Sequence, residues 1–183
     1  KWGGKLPSGE YARINREWKE GDEITLSLPM ELKKRQWQVN KNSVSMDYGP
    51  LTLSLEIKER YDLINSRETA IGDSKWQEGA DAAAWSSYEI YAESPWNYAL
   101  DIHAPLILEK KPLAPDANPF TLENVPWRWK AKGRLVPEWT LDEYGLCAVL
   151  PYENAPKADR LDDIALIPMG AARLRITAFP AME

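Results

Sequence analysis

The chain has one cysteine and one histidine in 183 residues. A lone Cys147 allows no internal disulfide and no multi-cysteine metal cluster. A lone His103 removes every metal motif built on two histidines and leaves histidine-centred triads without support. No metal site is expected from these residues. No apolar run approaches the ~18 residues that a membrane span requires, and Lys1 does not open a signal-like stretch. Without an initiator Met, the sequence reads as a piece of something longer. A net charge of −5 speaks against nucleic acid or an anionic membrane surface as the main partner. Cys147 lies in GLCAVLP, where a small buried hydrophobe is the expected role.

What is abundant is tryptophan and tyrosine, nine and eight against two phenylalanines. Each combines a broad ring with a polar handle, which suits surfaces that are apolar yet wet. Sugar-binding faces, protein interfaces and sandwich cores share that need, so the excess alone does not separate them.

Strand patterns dominate. In EWKEGDEITLSLPM (17–30), Gly21-Asp22 supplies a turn, and Ile24, Leu26 and Leu28 alternate with Thr25 and Ser27, predicting a hairpin with an inward apolar face. LTLSLEI (51–57) and ARLRITAF (172–179) alternate in the same way. Further strands are expected at Tyr11–Arg16, Trp37–Met46, Tyr88–Tyr91, Tyr98–His103, Leu106–Glu109, Trp127–Leu135 and Leu146–Leu150. Residues 158–168 read as a loop ending in a strand. Residues 76–85 offer at most a turn or two of helix, weakened by Gly79. The fourteen prolines suit short strands with irregular connections, and the densest run, KKPLAPDANP (110–119), marks a long connection between sheets. The fold class that follows is all-β, an antiparallel sandwich of jelly-roll type in one domain over 1–183.

Four separated motifs occur in order: REWKEGDEITLSLPM, MDYGPLTLSLE, SYEIYAESPWNYALDI and the closing LIPMGAARLRITAFP. Their succession, from about Gly9 to Pro180, resembles the C-terminal β-sandwich region of glycoside hydrolase family 127, which holds the β-L-arabinofuranosidases. The resemblance implies a parent enzyme with an N-terminal (α/α)6 barrel. That barrel would carry a cysteine nucleophile and a zinc ion held by three cysteines and a glutamate. No catalytic residue of the family carries over to a position here, since a single cysteine does not make a three-thiolate cage. The expected role is a non-catalytic accessory domain, without cofactor of its own, whose partner is the barrel of the same parent chain. Arabinose-containing glycans and an extracellular or periplasmic location are implied in the same way.

Two stretches are candidates for a site in this chain. The cluster Trp85, Tyr88, Tyr91, Trp96 and Tyr98 fits a sugar platform, a sandwich core or a seam against a barrel. In WRWKAKGR (127–134), Arg128, Lys130, Lys132 and Arg134 fall on one strand face, and Trp127, Trp129 and Ala131 on the other. Basic residues interleaved with aromatics suit an acidic polysaccharide or a nucleic-acid backbone. The competing reading is an edge strand guarded by lysines, with its tryptophans turned into the core. A glycosidase pair of carboxylates would have to come from pairs such as Glu89 with Glu93 or Asp162 with Asp163, which read more simply as solvated surface. Arg173 and Arg175 are expected to pair with the acidic stretch 159–163. An autonomous carbohydrate-binding module and a self-sufficient glycosidase are the alternative functions.

Overall fold

Alternating stretches become strands where another strand completes their backbone hydrogen bonds. The computed structural model describes residues 9–64 and 86–182. Among them are β1 (Leu32–Trp37), β2 (Ser43–Tyr48), β3 (Leu51–Leu55), β4 (Glu59–Ile64), β5 (Ser87–Ala92), β6 (Tyr98–Asp101), β7 (Ile107–Lys110), β8 (Trp127–Leu135), β9 (Asp162–Pro168) and β10 (Ala181–Met182). The one helical turn described is a short 3₁₀ segment, Met169–Ala171. Eight strands make one sheet in the order β1-β2-β3-β9-β8-β6-β10, with β7 also paired to β8, and β4 and β5 form a separate two-stranded ribbon. Every pairing is antiparallel except β6 with β10. The fold is all-β and sandwich-like, as the alternation predicts.

The centre of the large sheet is β8, flanked by β9 on one side and by β6 and β7 on the other. Trp129 and Ala131 of β8 join Leu53, Leu55, Leu100, Leu166 and Phe179 in the main core. On β9 the successive residues Leu166 and Ile167 are both fully buried, so the sheet is covered on both faces here. Ile167 packs with Val125, Ala171 and Ala172, supplied by the 3₁₀ turn and the loop before β8. Gly133 lets β8 approach β6 closely, since a Cβ there would lie 2.9 Å from both the Ala99 carbonyl oxygen and Ile164 Cδ1. Residues 111–126 connect β7 to its own partner β8, and the proline-rich run lies in this loop.

Several expected strands are absent. The alternating residues 24–28 belong to no strand among the described residues, and Ile24, Leu26 and Leu28 are 64%, 60% and 69% exposed rather than inward. Tyr11–Arg16 is likewise irregular. The stretch 37–46 is two strands, broken by a turn whose central residues Lys41 and Asn42 have φ of 55° and 54°, the left-handed geometry of tight hairpins. Residues 146–150 form only an isolated bridge, Leu141 to Cys147. There Asp142 accepts from the backbone N–H of Tyr144 and Leu146 and closes a turn on itself. Residues 172–179 run beside β3 without a ladder: the Ile176 N–H donates to Ser54 Oγ at 3.2 Å, and the Leu55 N–H to the Ile176 carbonyl. A buried side-chain hydroxyl stands where a strand would place a carbonyl. The expected short helix at 76–85 lies outside the described residues.

Candidate functional site

The five predicted aromatics do not form one surface. Trp85 lies outside the described residues. Tyr88 and Tyr91 stand on the ribbon, half-exposed and on opposite faces of β5. On one face Tyr88 meets Tyr61 edge-on, with centroids 6.0 Å apart and planes at 80°, and Leu63 faces Tyr88 across the pair. That geometry is an edge-to-face pair and not a coplanar platform. On the other face Arg60 lies 4.8 Å over the Tyr91 ring. The Tyr61 and Tyr91 hydroxyls donate to Glu59 and Glu89. Partial burial and the Glu59 hydrogen bond raise the Tyr61 pKa, while for Tyr91 the Glu89 hydrogen bond is the main cause.

Trp96 and Tyr98 belong to the interior. Trp96 packs edge-on against the buried Trp139, with centroids 5.2 Å apart. Tyr98 is buried, and its hydroxyl donates to Asp162 at 3.2 Å. Burial first, then the Asp162 charge, raises its pKa. The SPWNYALDI motif therefore builds the core, and the ribbon carries the exposed rings.

The basic strand is interior, not an edge. Trp129 is buried as expected, and Trp127 is half-buried beside Tyr48 at 5.9 Å. Three of its four cations meet carboxylates: Arg128 forks onto Glu56, Lys130 reaches Glu109 at 2.6 Å, and Lys132 reaches Asp163 at 2.6 Å. The Glu56 contact is the main reason that the Arg128 pKa is raised, and the Glu109 contact does the same for Lys130. A face neutralised in this way is a poor binder of polyanions. The partners come from the end of β3, from β7 and from β9, so only folding brings them to the strand.

The carboxylates named as possible pairs are likewise engaged. Glu89 accepts from Tyr91, Glu93 lies 3.6 Å from Arg60, and Asp162 takes Arg160 at 2.5 Å as well as Tyr98. Arg173 and Arg175 do not meet the acidic stretch; Arg175 donates to the Ala172 carbonyl instead. Cys147 is exposed, contrary to expectation. Partial desolvation raises its pKa and it donates to the Ala148 carbonyl, so it is not an activated thiolate.

The fourth cation of the strand, Arg134, has a different setting. It lines an open pocket of about 380 Å³ with Asp101, Lys157, Leu161 and Met182. The sequence offers no motif for this group, because β6, β8, β10 and the loop before β9 each contribute to it. Only the placing of Arg134 on the polar face of its strand points there.

No family model, no curated protein and no solved structure matches the chain.

Proposed function

We propose that this chain is the non-catalytic accessory β-sandwich of a glycoside hydrolase family 127-like protein, packing on a helical catalytic barrel elsewhere in the parent chain. The four ordered motifs support the family, and one observation carries the role. The regular apolar strip Ile24, Leu26 and Leu28 stands 60% to 69% exposed, with neither a paired strand nor a covering layer among the described residues. Large apolar side chains clustered in one exposed segment mark a surface that another body covers. Burying three such side chains supplies roughly 1.5–3 kcal/mol each. The ribbon adds Tyr61, Leu63 and Tyr88 as a second exposed apolar patch.

Hydrogen exchange compared between this chain and the longer parent protein tests the reading. Residues 24–28 should exchange freely here and be protected in the parent. Replacing the three side chains by serine should lower the parent's melting temperature and leave this chain's unchanged. Equal exchange in both proteins, or arabinosidase activity of this chain on aryl arabinosides, would overturn it.

A further inference from the structure

The pocket at the β6–β8–β10 end holds two cations, Arg134 and Lys157, that form no ion pair among the described residues. Arg134 donates through Nη1 to the carbonyls of Ala158 and Asp159, at 3.3 and 2.6 Å. Lys157 donates to the carbonyls of Glu153 and Ala155. Both side chains are only partly exposed. Carbonyl oxygens hold a cation in place without cancelling its charge, whereas the other three cations of β8 are cancelled by carboxylates. Arg134 keeps Nε and Nη2 without a protein acceptor among the described residues, so a planar donor edge is left for a ligand.

The third polar group, Asp101, is fixed as well. Its Oδ1 accepts from the backbone N–H of His103 and Ala104, at 2.9 and 3.0 Å, and its Oδ2 is left as an acceptor. Leu161 and Met182 complete the wall with apolar surface. At about 380 Å³ the space falls within the range of small-molecule sites. Two cations against one carboxylate select a monoanion over a dianion. An acceptor beside them selects a ligand that also carries hydroxyls, and the apolar wall suits a C–H face.

We propose that this pocket binds a hydroxylated monocarboxylate of sugar-acid type: its carboxylate lies on Arg134 and Lys157, and a hydroxyl donates to Asp101. The inference is independent of the accessory role, because it requires neither a barrel nor a parent activity. The same chemistry is presented by a free hexuronic acid and by a uronate unit within a polysaccharide, and these are separated by size.

Titration calorimetry of the chain with galacturonate, glucuronate, a galacturonate trimer, arabinose and sulfate at constant ionic strength tests it. Uronate should bind, with arabinose and sulfate at least about tenfold weaker. A trimer tighter than the monomer identifies the polymer as the source, and a trimer that fails where the monomer binds identifies the free acid. Arg134→Gln and Lys157→Gln should each weaken uronate binding about tenfold, and Asp101→Asn should weaken uronate while strengthening sulfate. Arg134→Lys keeps the charge and loses the fork, and serves if the glutamine variant does not fold. No uronate binding, binding indifferent to these changes, or sulfate bound as well as uronate would each overturn the proposal.

Discussion

The tetrapeptide Thr-Leu-Ser-Leu occurs twice, at residues 25–28 and 52–55. In the second copy Leu53, Ser54 and Leu55 are at most 1% exposed; in the first, Leu26 and Leu28 are more than half exposed. The side chains and their local alternation are the same, so intrinsic strand preference cannot account for the difference. What differs is company. Thr52 pairs with Asp47 of β2, and Leu53 to Leu55 pair with Pro168 to Leu166 of β9. The first copy is followed at once by Pro29, which lacks an N–H for a ladder, and no strand among the described residues lies beside it. An alternating stretch states which face would be buried, and the rest of the fold decides whether burial happens.

The contrast is open to attack by substitution. Leu53→Ala should cost roughly 2–5 kcal/mol in denaturant unfolding, the range for a core leucine. Gly133→Ala acts on the central strand that makes the second copy a core element. With a Cβ 2.9 Å from a backbone carbonyl, it should cost about 1–3 kcal/mol. Ser54→Ala removes the acceptor of the Ile176 N–H and should cost about 1–3 kcal/mol, whereas Ser27→Ala should be silent. The Tyr98 pKa is raised above the ordinary 10.0, so the folded state holds this proton more tightly than the unfolded state. Its contribution is complete below pH 10 and declines as pH rises through the higher folded value. Tyr98→Phe should flatten that alkaline decline, measured as melting temperature against pH. Leu26→Ser in this chain should shift stability by less than about 0.5 kcal/mol; a larger loss would mean that the first copy is packed in solution.

Much of the large sheet was legible from periodicity. The bounds of β8 agree with the alternation of WRWKAKGRL, and LTLSLEI and the end of 158–168 supply β3 and β9. The failures share a cause. Residues 24–28 and 172–179 carry a strand pattern, but the first has no strand neighbour among the described residues and the second meets a serine hydroxyl and a single bridge to Val44. The aromatic cluster looked continuous because its members are close in sequence. A break at Ser94-Pro95 separates the ribbon rings from Trp96 and Tyr98, which turn inward. The charge state of β8 was unreadable for a related reason: neither Glu56, Glu109 nor Asp163 is near it in the chain. The Arg134 pocket was hidden twice over, since it needs four separate segments and its cations lean on backbone atoms.

The adjacency of β3 and β9 has a kinetic consequence. As the chain is made, β1, β2 and β3 can form successive hairpins while β9 is still far downstream. Until then one side of β3 shows an unsatisfied backbone row flanked by Leu53 and Leu55, a short uncharged β-prone stretch of the kind that seeds aggregation. Closure waits for a contact between segments widely separated in sequence, a topology associated with slow folding. Refolding yield should therefore fall as protein concentration rises, with β3 the segment through which misassembled chains first join.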